Sequence, residues 1–64
     1  MNLEQYCGKK VSVIASNGKE FEGLVDEFFL AEDNNSEMDS IVVKTDDGNL
    51  IEFPEDDIIE ITEI

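Results

Sequence analysis

The one thiol of the sequence, Cys7, has no base to activate it, because the 64-residue chain contains no His at all. A thiol without an imidazole or cationic neighbour behaves as a small hydrophobe, and Cys7 is expected to be buried in that role. The other reactive groups are carboxylates, 17 Asp and Glu in all. Glycosidic chemistry needs two of them at a fixed separation across a cleft, which a domain this small rarely provides. Oxygen ligands for calcium gather at Asp33-Asn34-Asn35-Ser36-Glu37 and Asp39. That run lacks the mid-loop Gly and the closing Glu of a helix-loop-helix calcium site, so it reads as solvated loop. Asp56-Asp57 reads in the same way as a turn. The expectation is a protein that is not an enzyme, with no metal and no cofactor.

Charge narrows the partners. Four Lys and no Arg stand against the acids, for a net charge of −13. Residues 1–19 hold three Lys and one acid, net +2, whereas residues 20–64 hold one Lys and sixteen acids, net −15. Such a balance repels nucleic acid and anionic lipid before any specific contact forms. It suits a soluble acidic surface or attraction to a basic protein. No apolar run approaches the ~20 residues of a membrane-spanning helix. The start, Met1-Asn2-Leu3-Glu4-Gln5, lacks the basic and apolar stretches of a secretory signal. With a single Cys, this points to the cytoplasm.

These groups must be positioned by one domain, residues 1–64, that exposes a large share of its surface. Asn2 and Gln5 have capping-box spacing, and Leu3, Tyr6 and Cys7 share one helical face, which predicts a short helix over residues 3–7 acting as a lid. Gly8 follows where a helix end takes a left-handed residue. Lys10 to Ile14 alternates as a strand, Asn17-Gly18 marks a hairpin, and Phe21, Gly23 and Val25 line one side of the return strand. Gly23 predicts a bend or a close backbone approach, and Asp26-Glu27 breaks the alternation where a bulge is expected. Ser40 to Thr45 is β-branched, Asp46 to Asn49 is a turn, Leu50 to Phe53 a fourth strand ended by Pro54, and Ile58 to Ile61 a fifth. The fold class is mainly β: a small, strongly bent, five-stranded antiparallel barrel, closed on itself, with a short N-terminal helix.

This order of elements resembles the Sm-like (LSm) family. The resemblance rests on the lid, Gly8 before Val11-x-Val13, Phe21-x-Gly23-x-Val25, the two Gly turns, and Ile58-x-x-Ile61 after a tight turn. Phe21-Glu22-Gly23 and Ile51-Glu52-Phe53-Pro54 look like the Sm-like C-terminal domain of the bacterial ribosome maturation factor. The resemblance implies ring assembly, with the fourth strand of one copy pairing with the fifth of the next. It also implies binding of single-stranded RNA, with one site near Glu32, Asp33 or Asn34. Where the family carries Arg-Gly after the fourth strand, this chain has Pro54-Glu55, so the cation of that site is missing.

Two readings of function follow. One is an acidic, non-catalytic module that binds protein, itself or a basic partner, through strand edges and an apolar patch. Its candidate residues are Leu50, Phe53, Ile58, Ile59 and Ile61, since a two-sided apolar strand asks for a covering chain. Phe28 and Phe29 join them. Adjacent residues on a strand face opposite ways, so one is exposed unless a kink turns both inward. The alternative is an Sm-like RNA binder using Lys9, Lys10 and Lys19, at the two ends of one hairpin, with Asn34. Three lysines release few counterions, so its affinity would be weak and salt-sensitive. The acidic run could also mimic nucleic acid toward a basic protein.

Overall fold

A computed structural model describes residues 2–32 and 37–64. Five strands form one antiparallel sheet: β1 (Lys10–Ala15), β2 (Glu20–Phe29), β3 (Ser40–Thr45), β4 (Leu50–Pro54) and β5 (Ile58–Glu63), in the order β4-β3-β2-β1-β5. Strand alternation decides which side chains enter the core. Val11, Val13 and Ala15 of β1 point inward and are buried, whereas Lys10, Ser12 and Ile14 point out. Val25, Ile41, Val43, Phe53 and Ile58 complete the buried set with Leu3. The Phe21 and Phe53 rings pack at 5.4 Å between centroids, tilted by 56°.

Both hairpins use the same turn. Ala15 N–H donates to Lys19 O and Gly18 N–H to Ala15 O; Thr45, Asn49 and Gly48 repeat the pattern. This is the three-residue loop whose last residue is left-handed, and Gly18 and Gly48 take it with φ of 86° and 91°.

The sheet is bent hard. A flat five-stranded sheet places its edges ~19 Å apart, four interstrand steps of about 4.8 Å. Here the two edge strands β4 and β5 are joined by three residues, Glu55–Asp57, in a 3-10 turn. Such a turn advances about 2 Å per residue, roughly 8 Å from Pro54 to Ile58, so the edges must curl toward each other. Two features of β2 permit the curl. Gly23 lies between Val11 and Thr45, and a Cβ on it would stand 2.2 Å from the Lys44 carbonyl oxygen, so β2 and β3 approach there as only Gly allows. Two residues later the register with β3 shifts between Val25 and Glu27, a bulge at Asp26.

Closure does not follow from the curl. Among the described residues β4 and β5 are not hydrogen-bonded to each other, and the sheet is open, not a closed barrel. The reason lies in the edges. Pro54 offers no N–H on the outer edge of β4, and β5 carries a bulge at Ile59 where its register with β1 shifts. Pro54 ends β4 without costing a bond to β3. Hydrogen-bonded pairs alternate from Thr45–Asn49, which places Pro54 opposite Ser40 at a position whose N–H would face outward.

The lid also differs in detail. Leu3–Tyr6 is a 3-10 helix, with no side-chain cap from Asn2. At three residues per turn, Leu3 and Tyr6 eclipse and pack on the core, while Cys7 swings off that face and is exposed rather than buried. Gly8 is left-handed, as expected, at φ 79°, and its N–H donates to Val25 O at 2.9 Å, tying the lid to the bend in β2.

Candidate interaction surface

Among the described residues β4 and β5 each have one edge with no neighbouring strand, and these edges present ordered backbone groups. The Ile64 N–H donates to Lys10 O at 2.9 Å, so alternation along β5 turns Thr62 and Glu60 toward β1 and leaves the N–H and C=O of Ile61 and Glu63 facing outward. On β4 the same reasoning leaves Leu50 and Glu52 outward. Side chains beside these groups are aliphatic or acidic. Leu50 is 64% exposed and Ile59, pushed out at the bulge, is 63% exposed. From residue 50 to residue 64 the chain has six acids and no Lys.

The candidate residues fall into two groups. Leu50 and Ile59 lie on the surface, at the edges. Phe53 and Ile58, expected beside them, are 4% and 6% exposed and belong to the core, so their side chains cannot form an outer patch. The alternation that exposes Leu50 turns Phe53 inward, and the bulge at Ile59 puts Ile58 and Ile61 on the same, inner side. Ile61 and Phe28 are partly buried against the core, and Phe29 is partly buried. The shift at Asp26 puts Phe28, opposite buried Ile41, on the core side, and leaves Phe29 half-buried on the other face.

Pairing register also reveals a surface row that the sequence reading missed. Lys10, Leu24, Lys44 and Leu50 stand side by side across β1 to β4, with Ile64, the residue after β5, bonded beside Lys10, every one of them exposed. Leu24 was legible as the residue out of phase with Phe21, Gly23 and Val25, but only the register aligns it with Leu50 and Ile64.

The lysines do not converge. Lys10 opens β1, while Lys19 sits opposite Ala15 at its far end, ~17 Å away at about 3.3 Å per residue. Lys10 Nζ is also 3.5 Å from Asp46 Oδ1. Asn34, with the Asp33–Ser36 part of the calcium-like run, lies outside the described residues. Among the described residues no three acids or thiols gather as metal ligands, and no helix is long and apolar enough to cross a membrane.

Side-chain hydrogen bonds lock the turns and loops around this surface. Asp39 takes the Ala31 N–H on its carboxylate at 2.9 Å and the Glu55 N–H on its main-chain carbonyl at 2.9 Å. Buried Ser40 donates to Glu52 at 2.9 Å, and Ser16 donates to Asp57 at 3.2 Å. Thr45 Oγ1 donates to Asp47, and this bond above all holds the Asp47 carboxyl below its usual range. These bonds position the surface and supply no reactive group.

Comparison with protein-family models, curated proteins and solved structures gives no match.

Proposed function

We propose that this chain is a non-catalytic interaction module of the Sm-like type, an acidic curled sheet that binds protein partners along its free edges. The observation that carries the reading is the pair of unpaired edges, β4 and β5, each with outward backbone donors and acceptors beside an exposed aliphatic residue. An open strand edge is a template for another chain, and natural proteins that leave one open in solution must defend it or use it. The strand order, the lid and the bend at Gly23 support the Sm-like assignment. The RNA-binding alternative has less support, since its lysines are dispersed and one is tied to Asp46.

The test blocks the edges without touching the ladder. Leu50→Pro and Glu63→Pro each remove an outward N–H and no ladder bond. The native chain is expected to retain partner proteins from a cytosolic extract, and the doubly blocked chain, still folded by its amide spectrum, to lose them. Retention of the same proteins by the blocked chain, or substrate turnover by the purified protein, would overturn the reading.

A further inference from the structure

We propose that the edge of β5 takes up an extended basic segment of a partner protein as a sixth strand, a proposal that rests on the edge-binding reading above. Two occupants are conceivable for a free edge, a copy of this chain or a foreign strand, and the charges choose between them. Both edges belong to residues 50–64, where six acids meet no Lys. Pairing β4 of one copy with β5 of another brings Glu52 onto the same outer face as Glu60, and like charges across a ladder destabilise it. Pro54, with no N–H to give, shortens the β4 edge further. The same acids favour a strand that carries Lys or Arg, both in steering and in register.

Geometry specifies the strand. Ile61 and Glu63 offer outward N–H and C=O groups two residues apart, the spacing that an added strand reads. Glu60 and Thr62 point to the outer face, and Ile61 and Glu63 to the other. An antiparallel guest therefore places a basic residue opposite Glu63, a β-branched polar one opposite Thr62, an aliphatic one opposite Ile61 and a second basic one opposite Glu60. Exposed Ile59 and Ile64 flank the site.

The probe is a synthetic peptide with the order Lys-Thr-Val-Lys at its centre, mixed with the full chain at low salt. The expected result is binding that protects the Ile61 and Glu63 amides from exchange. Affinity should fall roughly tenfold or more when the peptide backbone is N-methylated, which keeps its charge but removes its pairing. Glu60→Gln with Glu63→Gln should weaken it by a similar factor while the amide spectrum stays folded. Equal affinity of the N-methylated peptide, protection at Leu50 and Glu52 instead, or no binding at low salt would each overturn the proposal. If the peptide fails while the edge-blocked chain still loses its partners, only the choice of guest and edge falls. If the blocked chain keeps its partners, the broader reading falls as well.

Discussion

Gly23 shows how much one missing methyl group decides. Its Cα faces the Lys44 carbonyl so closely that a Cβ would stand 2.2 Å from the oxygen and 2.8 Å from the carbonyl carbon. Backbone cannot move aside as a flexible side chain does, so Gly23→Ala must pry β2 from β3 at the bend. The expected cost is about 3 kcal/mol, the upper part of the overpacking range, read as a lower urea midpoint. An unchanged midpoint would mean that the strands are not so close. Asp47 gives a residue-scale prediction of another kind. Its carboxyl is held below the ordinary carboxylate range chiefly by the Thr45 hydroxyl, and backbone N–H donors in the same turn help. A depressed folded pKa contributes stability that is present above the unfolded value and lost as pH falls through the folded one. Thr45→Val should therefore move the Asp47 titration back up toward the ordinary range in a carboxyl-detected NMR experiment and leave the fold in place. Because the carboxyl is solvent-exposed, the consequence for stability is small.

At the scale of the element, the lid separates two residues that the sequence placed on one face. Leu3 is fully buried while Cys7 is exposed. Leu3→Ala should cost about 2–5 kcal/mol, the range for removing a buried leucine side chain, and Cys7→Ser should stay within ~0.5 kcal/mol. Urea denaturation of the two variants side by side checks both, and a Cys7→Ser loss as large as that of Leu3→Ala would return Cys7 to the core. The difference explains what the sequence could and could not tell. Strands with strict alternation, such as Val11 to Ala15, and turns built on Asn17-Gly18 and Asp47-Gly48 were legible, because their cause is local. So were Gly23 and the break at Asp26-Glu27. The burial of Cys7 was misjudged because i, i+3, i+4 spacing assumes 3.6 residues per turn, and a 3-10 turn has three. Ile59 was ambiguous for a similar reason, since a bulge on β5 resets the alternation and only the register with β1 reveals it. The row of Leu24, Leu50 and Ile64 depends on three separate pairings, so no local pattern could announce it.

For the molecule as a whole, repulsion is set against a small core. The chain measures 29 × 23 × 19 Å, and its radius of gyration of 10.7 Å is that of an ordinary globule of its length, so an open sheet has not made it loose. Within that volume the net charge is −13, and the ion pair between Lys10 and Asp46 is half-exposed on both sides, worth little. The screening length is ~30 Å at 0.01 M salt and ~10 Å at 0.1 M. At the lower concentration it matches the longest dimension of the molecule, so every carboxylate repels every other. At the higher one only neighbours interact. Unfolding spreads the charges apart, which means that repulsion weighs more on the folded state and salt must relieve it. Thermal melts followed by circular dichroism should therefore shift upward by several degrees between those two concentrations, about 1 kcal/mol in a domain of this size. The same screening should weaken the capture of a basic strand, because attraction to the acids fades as repulsion among them does. A melting point that ignored salt would show that repulsion weighs equally on the folded and the unfolded chain.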